Sequence, residues 1–133
     1  MILADAGPLV ALLHRDDQDH GRCVAALQQI RAALATTWPS LTEAVYLLGF
    51  SPQAQDALLE MVERGALRIL PVEKPDIPRL RALMRKYRDL PMDLADATLV
   101  HVAEREGVQQ VFTLDRRHFS VYRVGQRRFA IIP

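Results

Sequence analysis

Ile2-Leu3-Ala4-Asp5-Ala6-Gly7-Pro8-Leu9-Val10-Ala11-Leu12-Leu13 opens the chain with a short apolar strand, an acid and an apolar helix. Ile2–Ala4 reads as a strand that ends at Asp5, and Leu9–Leu13 reads as helical. The alternation continues. Asp19–Leu34 carries Val24, Leu27, Ile30 and Leu34 at helical spacing, and Thr36–Trp38 is a short strand closed by Pro39. Ser40–Phe50 and Gln53–Arg64 read as helices, the second stopped by Gly65. Arg68–Val72 is a strand, Ile77–Tyr87 a basic helix, and Asp93–Glu106 a helix ended by Gly107. Val111–Leu114 is a strand that runs into Asp115, and Phe129–Ile132 is a last strand. Strands separated by helices imply right-handed crossovers and a mainly parallel sheet. The expectation is one α/β domain over residues 1–133, with helices on both faces of the sheet. Such sheets bind ligands outside the carboxyl ends of their strands.

Composition narrows the class. The chain has 133 residues, half of them hydrophobic and a quarter charged, enough for a core without covalent staples. The lone cysteine, Cys23, excludes an internal disulfide and reads as a core thiol. The opening has no basic leader, and no uncharged apolar run approaches the roughly 20 residues of a membrane span. A cytoplasmic, soluble protein is expected. Net charge is only +1, but two basic clusters stand out. One is Arg79, Arg81, Arg85, Lys86 and Arg88. The other is Arg116, Arg117, Arg123, Arg127 and Arg128. Both suit a polyanion, and both also suit a solvated surface.

Four acids occupy informative places. Asp5 and Asp115 each follow a strand, so both fall at strand carboxyl ends. Glu43 and Asp96 each read as lying in the first turn of a helix. Capping is the competing role: Ser40-Leu41-Thr42-Glu43 matches a capping box, and Asp93 suits an N-cap. The neighbouring residues argue for more. Asp96 shares a helical stripe with Leu99, Val100 and Ala103, and Glu43 shares one with Tyr46, Leu47 and Phe50. Both acids are therefore expected to head buried apolar faces, where a carboxylate is costly unless paired or bound to metal. Converging carboxylates repel one another, and a divalent cation removes the difficulty. Oxygen ligands suit Mg²⁺ or Mn²⁺. His14, His20, His101 and His118 are scattered, show no zinc spacing and read as surface or helix-face residues.

Other chemistries find little support. Neither a GxGxxG nor a P-loop pattern occurs, and no serine sits in a nucleophile elbow. Phosphoaspartate receivers and haloacid-dehalogenase phosphatases also place Asp after the first strand. Here Gly7 replaces the second Asp of the phosphatases, and Asp115 stands where a receiver wants a late Lys.

The segments now resemble a known family. Ile-Leu-Ala-Asp5-Ala-Gly-Pro-Leu-Val-Ala-Leu-Leu is similar to the opening of PIN domains, with its first metal acid after strand one. Leu-Thr-Glu43-Ala resembles the second acidic motif of that family. Asp93-Leu-Ala-Asp96-Ala-Thr-Leu-Val resembles the third, and Val-Phe-Thr113-Leu-Asp115-Arg-Arg-His-Phe119 the fourth. The resemblance implies a three-layer α/β/α fold and Mg²⁺- or Mn²⁺-dependent hydrolysis of RNA. For a stand-alone chain of this length it further implies a VapC-type toxin, blocked by a small antitoxin and commonly a homodimer. Carried over by position, Asp5 and Asp96 would be the main metal ligands. Glu43 would complete the cluster, and Asp115 would support it or a second metal. Thr113 matches a hydroxyl that often precedes the fourth acid, and Asp93 is an extra acid in a supporting place. Family members often carry Ser or Thr just after the first Asp, where this chain has Ala6 and Gly7.

The expected chemistry is metal-assisted, in-line attack of water on a phosphodiester, leaving a 5′-phosphate and a 3′-hydroxyl. Arg116 and Arg117, beside Asp115, are the expected contacts to the RNA backbone. Two other readings compete: a PIN-like module that binds RNA or protein without catalysis, and a metal-dependent phosphatase of another α/β family.

Overall fold

A computed structural model describes residues 1–133. The first strand, β1 (Ile2–Ala4), leads through Asp5 into α1 (Ala6–Leu13). After α2 (His20–Gln29) come β2 (Leu34–Thr36), α3 (Trp38–Leu47), α4 (Pro52–Glu63) and β3 (Leu67–Ile69). A 3₁₀ turn at Lys74–Asp76 precedes α5 (Ile77–Lys86) and α6 (Leu94–Glu106). The chain ends with β4 (Gln110–Phe112), α7 (Arg116–Phe119), β5 (Arg123–Val124), β6 (Arg127–Arg128) and β7 (Ala130–Ile132).

Five strands form one sheet in the order β3-β2-β1-β4-β7, and every pairing within it is parallel. A separate antiparallel pair, β5-β6, lies outside that sheet. Side chains alternate across the sheet as strand geometry requires. Leu3, Ala35 and Val111 enter one apolar cluster with Leu80 and Leu83 of α5 and Leu99 and Val100 of α6. Ile2, Ala4, Leu34 and Phe112 enter the other, with Leu9 of α1, Cys23 of α2, Leu41 of α3 and Leu58 of α4. The sheet is thus the middle of three layers, with α1–α4 on one face and α5–α6 on the other, as expected of the α/β/α fold. No helix is long and apolar enough to cross a membrane.

The chain runs β1, β2, β3 toward one edge and then crosses to β4 on the other side of β1. The strand order therefore reverses between β1 and β4, the place where parallel sheets open a crevice at their carboxyl ends. Asp5 lies at the end of β1. Its backbone N–H donates to the carbonyl oxygen of Phe112 at 2.9 Å, which locks the two strand ends together.

Several expected boundaries move. The second strand is Leu34–Thr36, not Thr36–Trp38, and Pro39 lies inside α3 instead of closing a strand. Proline is tolerated there because the first turn of a helix leaves its N–H groups unpaired in any case. Leu34, read as the last position of a helical stripe, is a strand residue, since α2 stops at Gln29. The strand before Asp115 stops at Phe112, and the third strand is Leu67–Ile69 instead of Arg68–Val72. Helix α7 and the β5-β6 pair are additional to the sequence reading.

Candidate functional site

At the crevice a pocket of about 500 Å³ is lined by Asp5, Glu43, Asp93, Asp96 and Asp115, with Gly7 and Leu114 beside them. The four acids singled out from the sequence, and Asp93, thus meet in one place. No Lys or Arg lines the pocket, and its one basic side chain is His118.

Each acid is held differently. Asp5 is the N-cap of α1, its Oδ1 accepting from the backbone N–H of Ala6 at 2.8 Å. Its Oδ2 accepts from the Thr113 hydroxyl at 2.8 Å, and that same hydroxyl oxygen accepts from the backbone N–H of Asp115 at 3.0 Å. Thr113 therefore couples the ends of β1 and β4. Asp93 caps α6, accepting from the backbone N–H of Asp96 at 2.8 Å, as its place in the sequence suggests. Asp96 is buried, and its Oδ2 accepts from the Tyr122 hydroxyl at 2.7 Å. Asp115 caps α7 through Oδ1, and its Oδ2 pairs with His118 Nδ1 at 2.6 Å.

Burial and mutual repulsion leave their mark on the carboxyls. Burial raises the Asp5 pKa, helped by the charges of Asp115 and Asp93, although hydrogen bonds from Thr113 and Ala6 pull the other way. Glu43 is raised by partial burial and by the charges of Asp5 and Asp93. Asp96 is pushed up to about 7, chiefly by burial, against the hydrogen bond from Tyr122 and with the charges of Asp93, Asp5 and Asp115. For His118, burial opposes the imidazolium, but the hydrogen bond and charge of Asp115 outweigh it and raise its pKa.

The two helix acids differ from each other. Leu99, Val100 and Ala103 are fully buried, so Asp96 heads an apolar stripe as expected. Glu43 does not. Tyr46, Leu47 and Phe50 are exposed, at 81%, 47% and 62%, and Glu43 is exposed with them. The capping box at Ser40 also fails. Helix α3 begins at Trp38 after Thr37, so Ser40 is a buried residue inside its first turn and Glu43 lies in the second. The face of α3 that meets the core carries Ser40, Leu41, Ala44 and, just past its end, Leu48. Glu43 still reaches the pocket because α3 packs against α6. A buried hydrogen bond between the hydroxyls of Thr37 and Thr98, 2.7 Å long, ties the two helices.

Arg116 and Arg117 are exposed on α7, beside Asp115 but outside the pocket wall. Arg116 donates to the carbonyl oxygen of Pro133. Two other members of the basic clusters are structural. Arg79 forms a two-pronged pair with Glu104, and Arg123 donates to the carbonyls of Ser120, Val121 and Tyr122. Two site residues escaped the sequence reading. His118, read as a surface or helix-face residue, lines the pocket from α7, and its place three residues after Asp115, on the same helical turn, was the available signal. Tyr122 carried no signal, because its partner Asp96 is distant in sequence.

The oxygen-rich lining suits a hard divalent cation. No group of three or more His, Cys, Asp or Glu side chains is arranged so that it could hold an ion directly. That spacing still fits Mg²⁺, which keeps several waters and is commonly held by one or two carboxylates. Asp96 keeps one oxygen without a hydrogen bond, and Asp5, whose two oxygens accept one bond each from Ala6 and Thr113, keeps further lone pairs free of any imidazole partner. Both oxygens of Asp115 are engaged by His118.

The PIN domain family model matches residues 2–124. The protein named Ribonuclease VapC26 of Mycobacterium tuberculosis is 29% identical over 135 residues, covering 99% of this chain and 100% of that one. The crystal structure of Mycobacterium tuberculosis VapC20, described as a Sarcin-Ricin loop cleaving toxin, matches with a TM-score of 0.80. It is 19% identical and covers 87% of this chain and 91% of that one, a likeness of fold.

Proposed function

The chain belongs to the PIN domain family, and from that premise we propose that it is a Mg²⁺- or Mn²⁺-dependent ribonuclease, the toxin of a VapBC-type pair. One observation carries the reading. Asp5, Glu43 and Asp96 share a pocket without Lys or Arg, and burial together with the charges of neighbouring acids raises the pKa of all three, a cost that a divalent cation would offset.

Asp5 and Asp96 would hold the ion directly, with Glu43 reached through water. Asp93 and Thr113 support these ligands, Asp93 by capping α6 and Thr113 by fixing the rotation of the Asp5 carboxylate. Asp115 acts through the same hydroxyl network or on a second ion. The bound cation would polarise the scissile phosphate and lower the pKa of the attacking water. The protein contributes position. It aligns an RNA strand across the carboxyl ends of β1 and β4 so that attack is in line and the products carry 5′-phosphate and 3′-hydroxyl ends. Because the acidic rim repels RNA, Arg116 and Arg117 on the adjoining helix would anchor the backbone. A small antitoxin and a second copy of the chain are the proposed protein partners, and the cytoplasm is the proposed compartment. The exposed row of Tyr46, Leu47 and Phe50 supports a protein-binding face next to the pocket.

The test is incubation of the purified protein with structured RNA and Mg²⁺, with and without a chelator, followed by analysis of the product ends. Cleavage with 5′-phosphate ends, stopped by the chelator, is expected. Turnover of a small phosphomonoester with intact RNA would favour a phosphatase, and binding of RNA without cleavage would favour the inactive module.

Protonation gives a second prediction. The Asp96 pKa lies near 7 in the folded chain, well above its usual value of 3.8. The folded state therefore binds that proton more tightly than the unfolded one, and metal-free stability declines as pH rises from about 4 toward 7. A cation competes with the proton. The rise in melting temperature on adding Mg²⁺ should be larger at pH 8 than at pH 6. An equal or larger rise at pH 6 would contradict the coupling.

A further inference from the structure

The geometry points to Tyr122 as a positioning residue that decides which oxygen of Asp96 faces the cation, an assignment that rests on Asp96 being a metal ligand. Tyr122 is fully buried, yet its hydroxyl reaches one acid of the pocket. Its ring is fixed from several sides. Tyr87 and Phe119 meet it edge-on at 5.0 and 5.1 Å, and the His118 ring lies nearly parallel at 6.3 Å. Its backbone is fixed as well. The Tyr122 N–H donates to the carbonyl of His118 at 3.1 Å. The Arg123 guanidinium gathers the carbonyls of Ser120, Val121 and Tyr122 at 2.8 to 3.0 Å. A phenol held so firmly offers its hydroxyl proton in one direction.

That direction is Asp96 Oδ2, at 2.7 Å. No side-chain hydrogen bond reaches Oδ1, and no buried side-chain oxygen in the chain lacks a partner. Oδ1 therefore opens to the accessible space of the pocket that Asp96 lines. Tyr122 sorts the two oxygens: Oδ2 is turned inward and Oδ1 is presented. A neutral hydroxyl does this without cancelling the carboxylate charge that attracts the cation. Asp115 is treated differently, since the imidazole of His118 takes up its Oδ2. In Asp5 the Thr113 hydroxyl takes the corresponding place on Oδ2, while Oδ1 accepts from the Ala6 N–H. The hydroxyl-held acids are the pair suited to a cation.

The experiment is calorimetric titration of the full chain with MgCl₂, for wild type, Tyr122→Phe and Tyr87→Phe. Partners that orient metal ligands typically contribute 10- to 100-fold in affinity. Tyr122→Phe should therefore weaken Mg²⁺ binding by about tenfold or more. Tyr87→Phe, which removes a hydroxyl from the same aromatic cluster without touching Asp96, should bind as wild type does. Wild-type binding with unchanged affinity in Tyr122→Phe overturns the assignment alone. No Mg²⁺ binding by wild type, at concentrations that support cleavage, overturns the metal reading and the assignment with it. Should Tyr122→Phe fail to fold, nuclear magnetic resonance of the wild-type Tyr122 hydroxyl proton decides. A slowly exchanging signal that shifts on adding Mg²⁺ supports the role, and one that is indifferent to Mg²⁺ refutes it.

Discussion

Asp96→Asn is expected to reduce Mg²⁺-dependent RNA cleavage by more than about a hundredfold, beyond the loss typical for an outer partner of a metal ligand. The metal-free variant should also melt at a higher temperature than wild type at pH 8. Both effects come from one cause. Asp96 is buried beside Asp93, Asp5 and Asp115, and burial with their charges disfavours its ionised form. Asparagine has nearly the same shape, and its carbonyl oxygen can still accept from the Tyr122 hydroxyl, so packing is kept. It brings no charge, so the repulsion disappears together with the attraction for the cation. A gel-based cleavage assay and thermal denaturation check the two halves. Undiminished cleavage would remove Asp96 from the site. A lower melting temperature would mean that the buried charge is already compensated by the protein.

Phe112→Ala should have the largest effect on stability, a loss of about 3–5 kcal/mol. The ring is fully buried in β4 and packs in the cluster that joins the sheet to α1–α4. Removing it leaves a cavity at the centre of that layer, and the neighbours, held by parallel strands on both sides, have little room to close it. Against a total stability of roughly 5–15 kcal/mol, this is a substantial fraction. A fall of roughly 10–20 °C in melting temperature is expected. Activity should survive below the new transition, because the contact that Phe112 makes with Asp5 uses its backbone carbonyl, which the substitution keeps. Thermal denaturation with a parallel cleavage assay checks this. Little change in melting temperature would place the ring outside the core.

The layer architecture was legible because it depends on periodicity. Ile2–Ala4, Val111–Phe112 and the apolar stripe of Asp93–Glu106 are patterns that burial alone produces, and they appear where they were expected. The acids at strand ends were legible for a related reason, since a parallel sheet has one edge at which ligands bind. Glu43 shows the limit of such reading. Its neighbours Tyr46, Leu47 and Phe50 have the spacing of a core stripe, yet they face outward. The core face of α3 instead carries Ser40 and Ala44 beside Leu41 and Leu48, small residues that let the helix pack closely against its neighbours α1 and α6. Small buried residues look unremarkable in a sequence, and exposed aromatics look like core. Of the hydroxyl partners, Thr113 was named from the family resemblance, but its pairing with Asp5 was not legible, and Tyr122 was missed altogether. Thr113 is distant from Asp5 in the chain, and Tyr122 from Asp96, so only the folded sheet and the turn after α7 bring them together.

On the proposed function, the carboxylates at the ends of β1 and β4 and at the start of α6 would hold the divalent ion that RNA cleavage requires. Anomalous diffraction from crystals grown with Mn²⁺ tests this most directly. The expected result is a peak in the pocket, with oxygens of Asp5 and Asp96 about 2.1 Å from the ion, close to the distance typical of Mg²⁺. The same peak should be absent in Asp5→Asn crystals grown alike. A peak elsewhere, or an empty pocket at a Mn²⁺ concentration that supports cleavage in solution, would contradict the claim.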